Sequence, residues 1–198
     1  GDETFYSVPK IFYQLYSLHG FYKGVMIPFV YILLPGKSEQ TYIRMFRLIQ
    51  DKAFELGLIF SPKIFHCDYE MAVINTVTNL FDCQIKGCLF HYSQAILRNL
   101  NLILGKGNYK DKKLHQLVRR TASLPFVQEE KVDEVWEEIM NEVDMNHPLI
   151  VQFLDCMTEN WIEHRVFKKD TWNHYRNLKT RTTNHVEGFH NALKVKAG

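Results

Sequence analysis

Three acidic residues widely separated along the chain, Asp2, Asp68 and Glu187, stand where carboxylates can do chemistry. Asp68 follows directly on a short apolar run, Lys63 to Cys67. The carboxyl end of a strand in an open sheet is where ligands bind. Asp2 precedes an aromatic and β-branched stretch at Thr4 to Val8, and Glu187 lies on an amphipathic stretch late in the sequence. Taken singly, each is most simply a surface charge. Brought together, the three would repel one another unless a cation lay between them. Mg2+ or Mn2+ relieves that repulsion, because hard oxygen ligands suit both. Two such ions about 3.5–4 Å apart can activate water or a 3′-hydroxyl and stabilise the departing oxygen of a phosphodiester. The chemistry in view is metal-assisted phosphoryl transfer on nucleic acid, and it depends on joint placement rather than on any one acid.

Other side chains could serve that chemistry. Cys88 and His91 form a Cys-x-x-His pair. Zinc is conceivable there with Cys83 as a third ligand, but structural zinc sites take four and the neighbouring sequence offers no fourth. His91 beside the acids would instead contact a scissile phosphate or orient Asp68; its plainer role is that of a capping or core histidine. Asn184 and His190 flank Glu187, and the three-residue step from Glu187 to His190 puts both on one helical face. Lys179, Arg181, Lys194 and Lys196 surround the same stretch and suit contacts to a DNA backbone, although solvated surface charge is the default for each. Trp161 and Trp172 could stack on an unpaired base, with core packing the plainer role for at least one of them.

These residues need elements to position them. Ile11 to His19 and Val25 to Leu34 are two strand-like runs joined by a short link bearing Gly20 and Gly24, the pattern of an antiparallel hairpin. Thr4 to Val8, stopped by Pro9, reads as the tail of an earlier strand. The period then changes. Ser38 can cap a helix whose apolar stripe is Tyr42, Met45, Phe46, Ile49, Ala53 and Leu56, ended by Gly57. Lys63 to Cys67 is a strand, Met71 to Phe81 a second helix, Gln84 to Gly87 a short strand, and Phe90 to Leu104 a third helix. Three meandering strands followed by alternating helix and strand predict an α/β fold, a mixed five-stranded sheet flanked by helices, which is the ribonuclease H-like succession. From there to residue 178 no strand is predicted. Stripes at Leu114, Leu117 and Val118, at Val132, Val135, Trp136, Ile139 and Val143, and from Leu149 to Trp161 predict an all-helical insertion. Val186, Phe189, His190 and Leu193 then resume a helical face. The expected organisation is a first core part at 1–104, a helical insertion at 105–178, and a final core helix carrying the third acid at 179–198.

Charge divides the same way. The net charge is only +2, yet residues 1–124 carry +6, residues 125–160 carry −9 and residues 161–198 carry +5. Two basic blocks around an acidic one suit a polyanion-binding body with a stretch facing elsewhere, although a solvated helix face accounts for the acidic run more simply. An apolar share of 46% with 23% charged residues is ordinary for a globular chain and argues against disorder and coiled coil. No run approaches the ~18 apolar residues of a membrane span. No charged-then-apolar leader is visible, and the acidic pair after Gly1 reads as a segment cut from a longer protein. Four irregularly spaced cysteines suit a reducing compartment rather than a disulfide framework.

Several stretches resemble the catalytic domain of Mutator-like element (MULE) transposases, a DDE-type family with a ribonuclease H-like core. They are DETFYSVP at Asp2 to Pro9, FVYILLPGKSEQTY at Phe29 to Tyr42, FHCDYEMAVINTV at Phe65 to Val77, KGCLFHYSQAI at Lys86 to Ile96 and RTTNHVEGFHNALK at Arg181 to Lys194. They span nearly the whole chain in the family's order. The resemblance implies that Asp2, Asp68 and Glu187 are the catalytic acids and the ligands of two Mg2+ or Mn2+ ions. It also implies DNA at transposon ends and a target as substrate, a nuclear location and a homo-oligomer. Similar transposases carry the Cys88–His91 pair at the same place. One departure stands beside the first acid: Glu3 occupies a position where the family often has glycine. A second charge there leaves open a catalytically silent derivative serving as a DNA- or protein-binding module. A nuclease of ribonuclease H type without transposition is a further enzymatic alternative.

Overall fold

The computed structural model describes residues 2–4, 9–105, 112–163, 167–177 and 181. The chain divides into two compact units: the first takes the described residues as far as Ile85, and the second is Lys86–Arg181.

In the first unit, strand β1 (Asp2–Thr4) pairs antiparallel with β2 (Gln14–Tyr22), and β2 pairs antiparallel with β3 (Val25–Leu34), so the order is β1-β2-β3. Lys23 and Gly24 connect Tyr22 to its partner Val25, both with positive φ (49° and 81°). A two-residue loop with two left-handed residues matches the right-handed twist of the flanking strands. A bulge between Leu18 and His19 shifts the register, and Pro28 is paired with His19 just beyond it. Helix α1 (Glu39–Glu55) begins as its sequence predicts: the Ser38 side chain accepts the Thr41 N–H at 3.2 Å. It ends in a left-handed turn at Gly57 (φ 72°), where the Gly57 N–H donates to Phe54 and the Leu58 N–H to Ala53. Strand β4 (Ile64–Cys67) and helix α2 (Met71–Leu80) follow, and strand β5 (Gln84–Gly87) begins in this unit and ends in the second. Tyr42, Met45, Phe46 and Ile49 of α1 are buried as their spacing requires, whereas Leu56, at the helix cap, is exposed. The core packs Tyr16, Leu18 and Leu34 with this stripe and with Phe65, Val73 and Val77. Phe46 meets the rings of Phe65 and Phe81 edge-on, with centroids 5.7 and 5.5 Å away.

The five-stranded ribonuclease H-like sheet expected from the strand order is not what forms. The structure has a three-stranded sheet, β1-β2-β3, and a separate two-stranded sheet, β4-β5. Among the described residues, no pairing joins β1 to β4, the ladder on which a single sheet depends. β1 pairs Asp2, Glu3 and Thr4 with Ser17, Tyr16 and Leu15 of β2. Alternation along a sequence marks a strand and its faces but not the strand that lies beside it. Asp2 is inside β1, not ahead of it, and residues 5–8 of the predicted strand tail lie outside the described residues.

The second unit is helical. It comprises α3 (Leu89–Leu104), α4 (Lys112–Ser123), α5 (Val132–Asn141), α6 (Pro148–Met157) and the short α7 (Lys169–Trp172), with 3-10 turns at Leu124–Phe126 and Glu129–Lys131 and a π turn at Thr158–Ile162. Val132, Trp136 and Ile139 of α5 face inward, while Asp133, Glu134, Glu137 and Glu138 are exposed. The acidic run is thus a solvated helix face. Trp161 and Trp172 are both buried against Tyr92, whose ring stacks on Trp172 at 5.5 Å and meets Trp161 edge-on at 4.6 Å. The Trp172 indole N–H donates to the Trp161 carbonyl at 3.1 Å. Both tryptophans are core residues, and neither presents a face for a base. Among the described residues, no helix is long and apolar enough to cross a membrane.

Candidate functional site

β4 ends at Cys67, and the chain turns outward at once into Asp68, Tyr69 and Glu70 before α2 begins. The apolar β4 side chains Phe65 and Cys67 are held in the core, which fixes where Asp68 emerges. Asp68 is half-buried, with its Oδ1 closed off from solvent. Cys67 is no nucleophile: burial pushes its thiol up to about 12, with the neighbouring Asp68 acting in the same direction. Asp2 belongs to this unit as well, opposite Ser17 in the β1–β2 register.

Two residues past Asp68, Glu70 is held by a buried polar relay. The Tyr42 hydroxyl lies 3.0 Å from each carboxylate oxygen of Glu70 and donates to the pair. Gln14 Nε2 donates to the Tyr42 oxygen at 2.9 Å and to the Gly36 carbonyl at 3.2 Å. Gln14 and Tyr42 are fully buried, and Gln14 Oε1 has no hydrogen-bond partner among the described residues. Glu70 is also the N-cap of α2, yet its side chain makes no capping bond. Its carboxylate is committed to Tyr42 instead. Sequence reasoning missed this relay, since Tyr42 reads as one apolar residue of a helical stripe. The available signal was the Asp-x-Glu spacing directly after a strand.

In the second unit, Cys88 is the buried N-cap of α3 and His91 lies in its first turn. Cys88 Sγ and a ring nitrogen of His91 are within 4.8 Å of each other, so the pair supplies two donors to one point. Segments distant in sequence secure this helix start. The Leu89 N–H, one of the first-turn donors with no partner inside the helix, donates to the Arg181 carbonyl at 2.8 Å. Lys86 Nζ donates to the carbonyls of Asp170 (2.6 Å) and Asn173 (3.0 Å), and burial lowers its pKa. His174 is buried; its Nε2 is 3.0 Å from the Gly87 carbonyl, and its Nδ1 accepts from Asn177 Nδ2 at 3.1 Å. That pairing assigns the proton to Nε2 and keeps the ring neutral. Burial pulls the His174 pKa down, against a smaller upward pull from the Gly87 carbonyl.

Of the predicted site residues, the structure therefore places Asp2 and Asp68 in the first unit and the Cys88–His91 pair in the second. Glu187, Asn184, His190, Lys179, Lys194 and Lys196 lie outside the described residues. Arg181 is described, and its guanidinium is engaged within the second unit: it sits 5.3 Å from the centre of the Phe126 ring, and its Nε donates to the Asn177 carbonyl at 2.5 Å. Cys83, the third residue of the conceivable zinc set, is a half-buried free thiol with its pKa raised by burial and then by Asp82. A carboxylate is the donor type that suits a hard divalent cation, and Asp68 presents one directly past the end of β4. Comparison with protein-family models, with curated proteins and with solved structures gives no match.

Proposed function

We propose that the chain is the catalytic domain of a DDE-type DNA transposase of Mutator-like kind, making divalent-metal-dependent cuts and strand transfers at transposon ends in a nucleus. The observation that carries this reading is Asp68. It stands directly past the carboxyl end of β4, half-buried, with one oxygen closed to solvent and a second carboxylate anchored two residues on. A carboxylate so placed would serve as a ligand to Mg2+ or Mn2+. In the reading, Asp2 and Glu187 complete the ligand set for two ions. When bound, the ions would polarise the phosphodiester and generate the attacking oxygen. Asp68 would orient them, and Tyr42 would keep Glu70 from swinging away.

A second reading, a silent derivative that binds DNA or protein, is favoured by one specific finding: β1 and β4 share no ladder among the described residues, so no backbone bonding ties Asp2 to Asp68. Glu3, adjacent to Asp2, supports it too. A nicking assay on supercoiled DNA decides. The transposase reading expects cleavage in Mn2+ or Mg2+, none with EDTA, and losses on the order of 10²-fold or more in Asp68→Asn and Glu187→Gln. Joining of the cut end to target DNA separates a transposase from a plain nuclease. DNA binding without any cleavage in Mn2+ overturns the enzymatic reading and leaves the silent module.

A further inference from the structure

A pocket of about 300 Å³ opens in the second unit where α4, the end of α5 and the start of α6 meet. Its floor is aliphatic. Leu117 and Ile139 are buried there, with Val143 and Ile150 half-buried beside them. Leu117 lies three residues before Arg120, and Ile139 three residues before Glu142, so on each element floor and charge share a face. At the rim the two charged residues pair with each other: Arg120 Nη1 donates to Glu142 Oε2, with the arginine side chain 28% exposed and the glutamate 58%. Among the described residues neither side chain makes another bond, so most of the guanidinium donors and Glu142 Oε1 keep their capacity.

We infer that this pocket is a site for a free α-amino acid with a large apolar side chain. A surface ion pair is by itself worth little and marks nothing. This one stands over an apolar floor, with its two heads side by side. An α-amino acid carries an ammonium and a carboxylate side by side on one carbon, and its side chain leaves from the same carbon. Set head to head with the pair, its carboxylate accepts from the Arg120 guanidinium, whose fork suits that group, and its ammonium donates to Glu142 Oε1. The side chain then enters the aliphatic pocket. Charge excludes the rivals. A plain carboxylate meets Arg120 but is opposed by Glu142, and a plain amine meets Glu142 but is opposed by Arg120. The whole rim is balanced in the same way, Lys113 and Arg120 against Glu142 and Asp144. Nucleic acid is opposed by those two acids and by the −9 of residues 125–160. Volume selects the side chain. A dry cavity of roughly 150 Å³ holds benzene, so this pocket has room for the ring of phenylalanine and its α-carbon.

This inference goes beyond the proposed activity and is read without DNA or metal. Titration of L-phenylalanine into the 198-residue chain, followed by amide NMR shifts, should move signals of residues 113–120 and 139–150. Saturation is expected in the millimolar range, as for a ligand of about a dozen heavy atoms in a partly open pocket. Hydrocinnamate, which lacks the ammonium, and phenethylamine, which lacks the carboxylate, should each bind at least about tenfold more weakly. Arg120→Gln and Glu142→Gln should each weaken phenylalanine binding by a similar factor. Lys52→Gln, exposed on α1 of the other unit, should leave it unchanged. The inference is overturned by shifts that never saturate or lie elsewhere, by equal binding of the three ligands, or by indifference to both rim variants while their circular dichroism is native. If the variants fail to fold, urea unfolding of the wild-type chain answers instead. A midpoint raised by phenylalanine and by neither analogue supports the site, and one raised by none or by all three alike refutes it. Failure of the nicking assay leaves this result untouched.

Discussion

At the scale of single residues, the Tyr42 hydroxyl has the heaviest duty in the first unit. It receives one hydrogen bond from Gln14 and gives one to Glu70, in a place no water reaches. Tyr42→Phe keeps the ring and its packing on Tyr16, at 5.6 Å between centroids, but removes the oxygen. The Gln14 amide then loses one of its two acceptors, and its Oε1 already has no partner among the described residues. The expected loss is about 1–3 kcal/mol in urea unfolding, the cost of a buried polar group left unsatisfied. A change below about 0.5 kcal/mol would mean the relay carries no stability. None of this was legible in the sequence. Hydrophobic periodicity sees Tyr42 as bulk at the right angle on a helix. The identity of a hydroxyl's partner is set by packing between segments 28 residues apart. Asp68 was legible, because a single carboxylate at the end of an apolar run is a local pattern.

At the scale of elements, local chemistry decides most boundaries. Ser38 starts α1 and Gly57 stops it, each through a side chain or backbone freedom readable in the residue itself. Gly57→Ala should destabilise by about 1 kcal/mol: the left-handed turn must be kept for both terminal bonds, and a Cβ strains it although nothing lies within 4 Å. Gly36→Ala is the control, with open space and no positive φ; it should be neutral or gain up to about 1 kcal/mol from a stiffer unfolded chain. Equal effects of the two substitutions on the urea midpoint would remove the argument. β2 was harder to bound than β3. Its aromatic run opens at Ile11, but Pro9 accepts the Phe12 N–H in a turn and pairing begins only at Gln14. The helices of the second unit were read from their stripes. The turns between α4 and α5, and the π turn after α6, leave no such periodic mark.

At the scale of the molecule, sequence is weakest where pairing is long-range. The list of strands was readable; which strand sits beside which was not, and the expected single sheet gives way to two. Adjacency is set by pairing between distant segments, which periodicity along the chain does not record. Titration of the second unit can be anticipated from its closure. His174 binds a proton less readily in the folded chain than its ordinary value of 6.5, because burial disfavours the imidazolium and Nδ1 must stay an acceptor. Above that value, folded and unfolded chains are both neutral there, and the contribution is fully present. As pH falls through it, the unfolded chain takes up the proton first, so stability declines with acid. Urea unfolding of the wild-type chain should lose stability between pH 7.5 and 5, and His174→Gln should flatten that slope. An unchanged slope in the variant would assign the acid sensitivity to other histidines.

The stitching of Lys86, Gly87 and Leu89 to Asp170, Asn173, His174 and Arg181 has a consequence for how such a chain can evolve. A helical excursion whose entry and exit segments are buttoned together behaves as a cassette on a closed stem. Helices can be gained, lost or remodelled within it while the two ends stay the same distance apart. Variation in length between related chains should therefore collect inside residues 92–169, and the buttons on either side should change least.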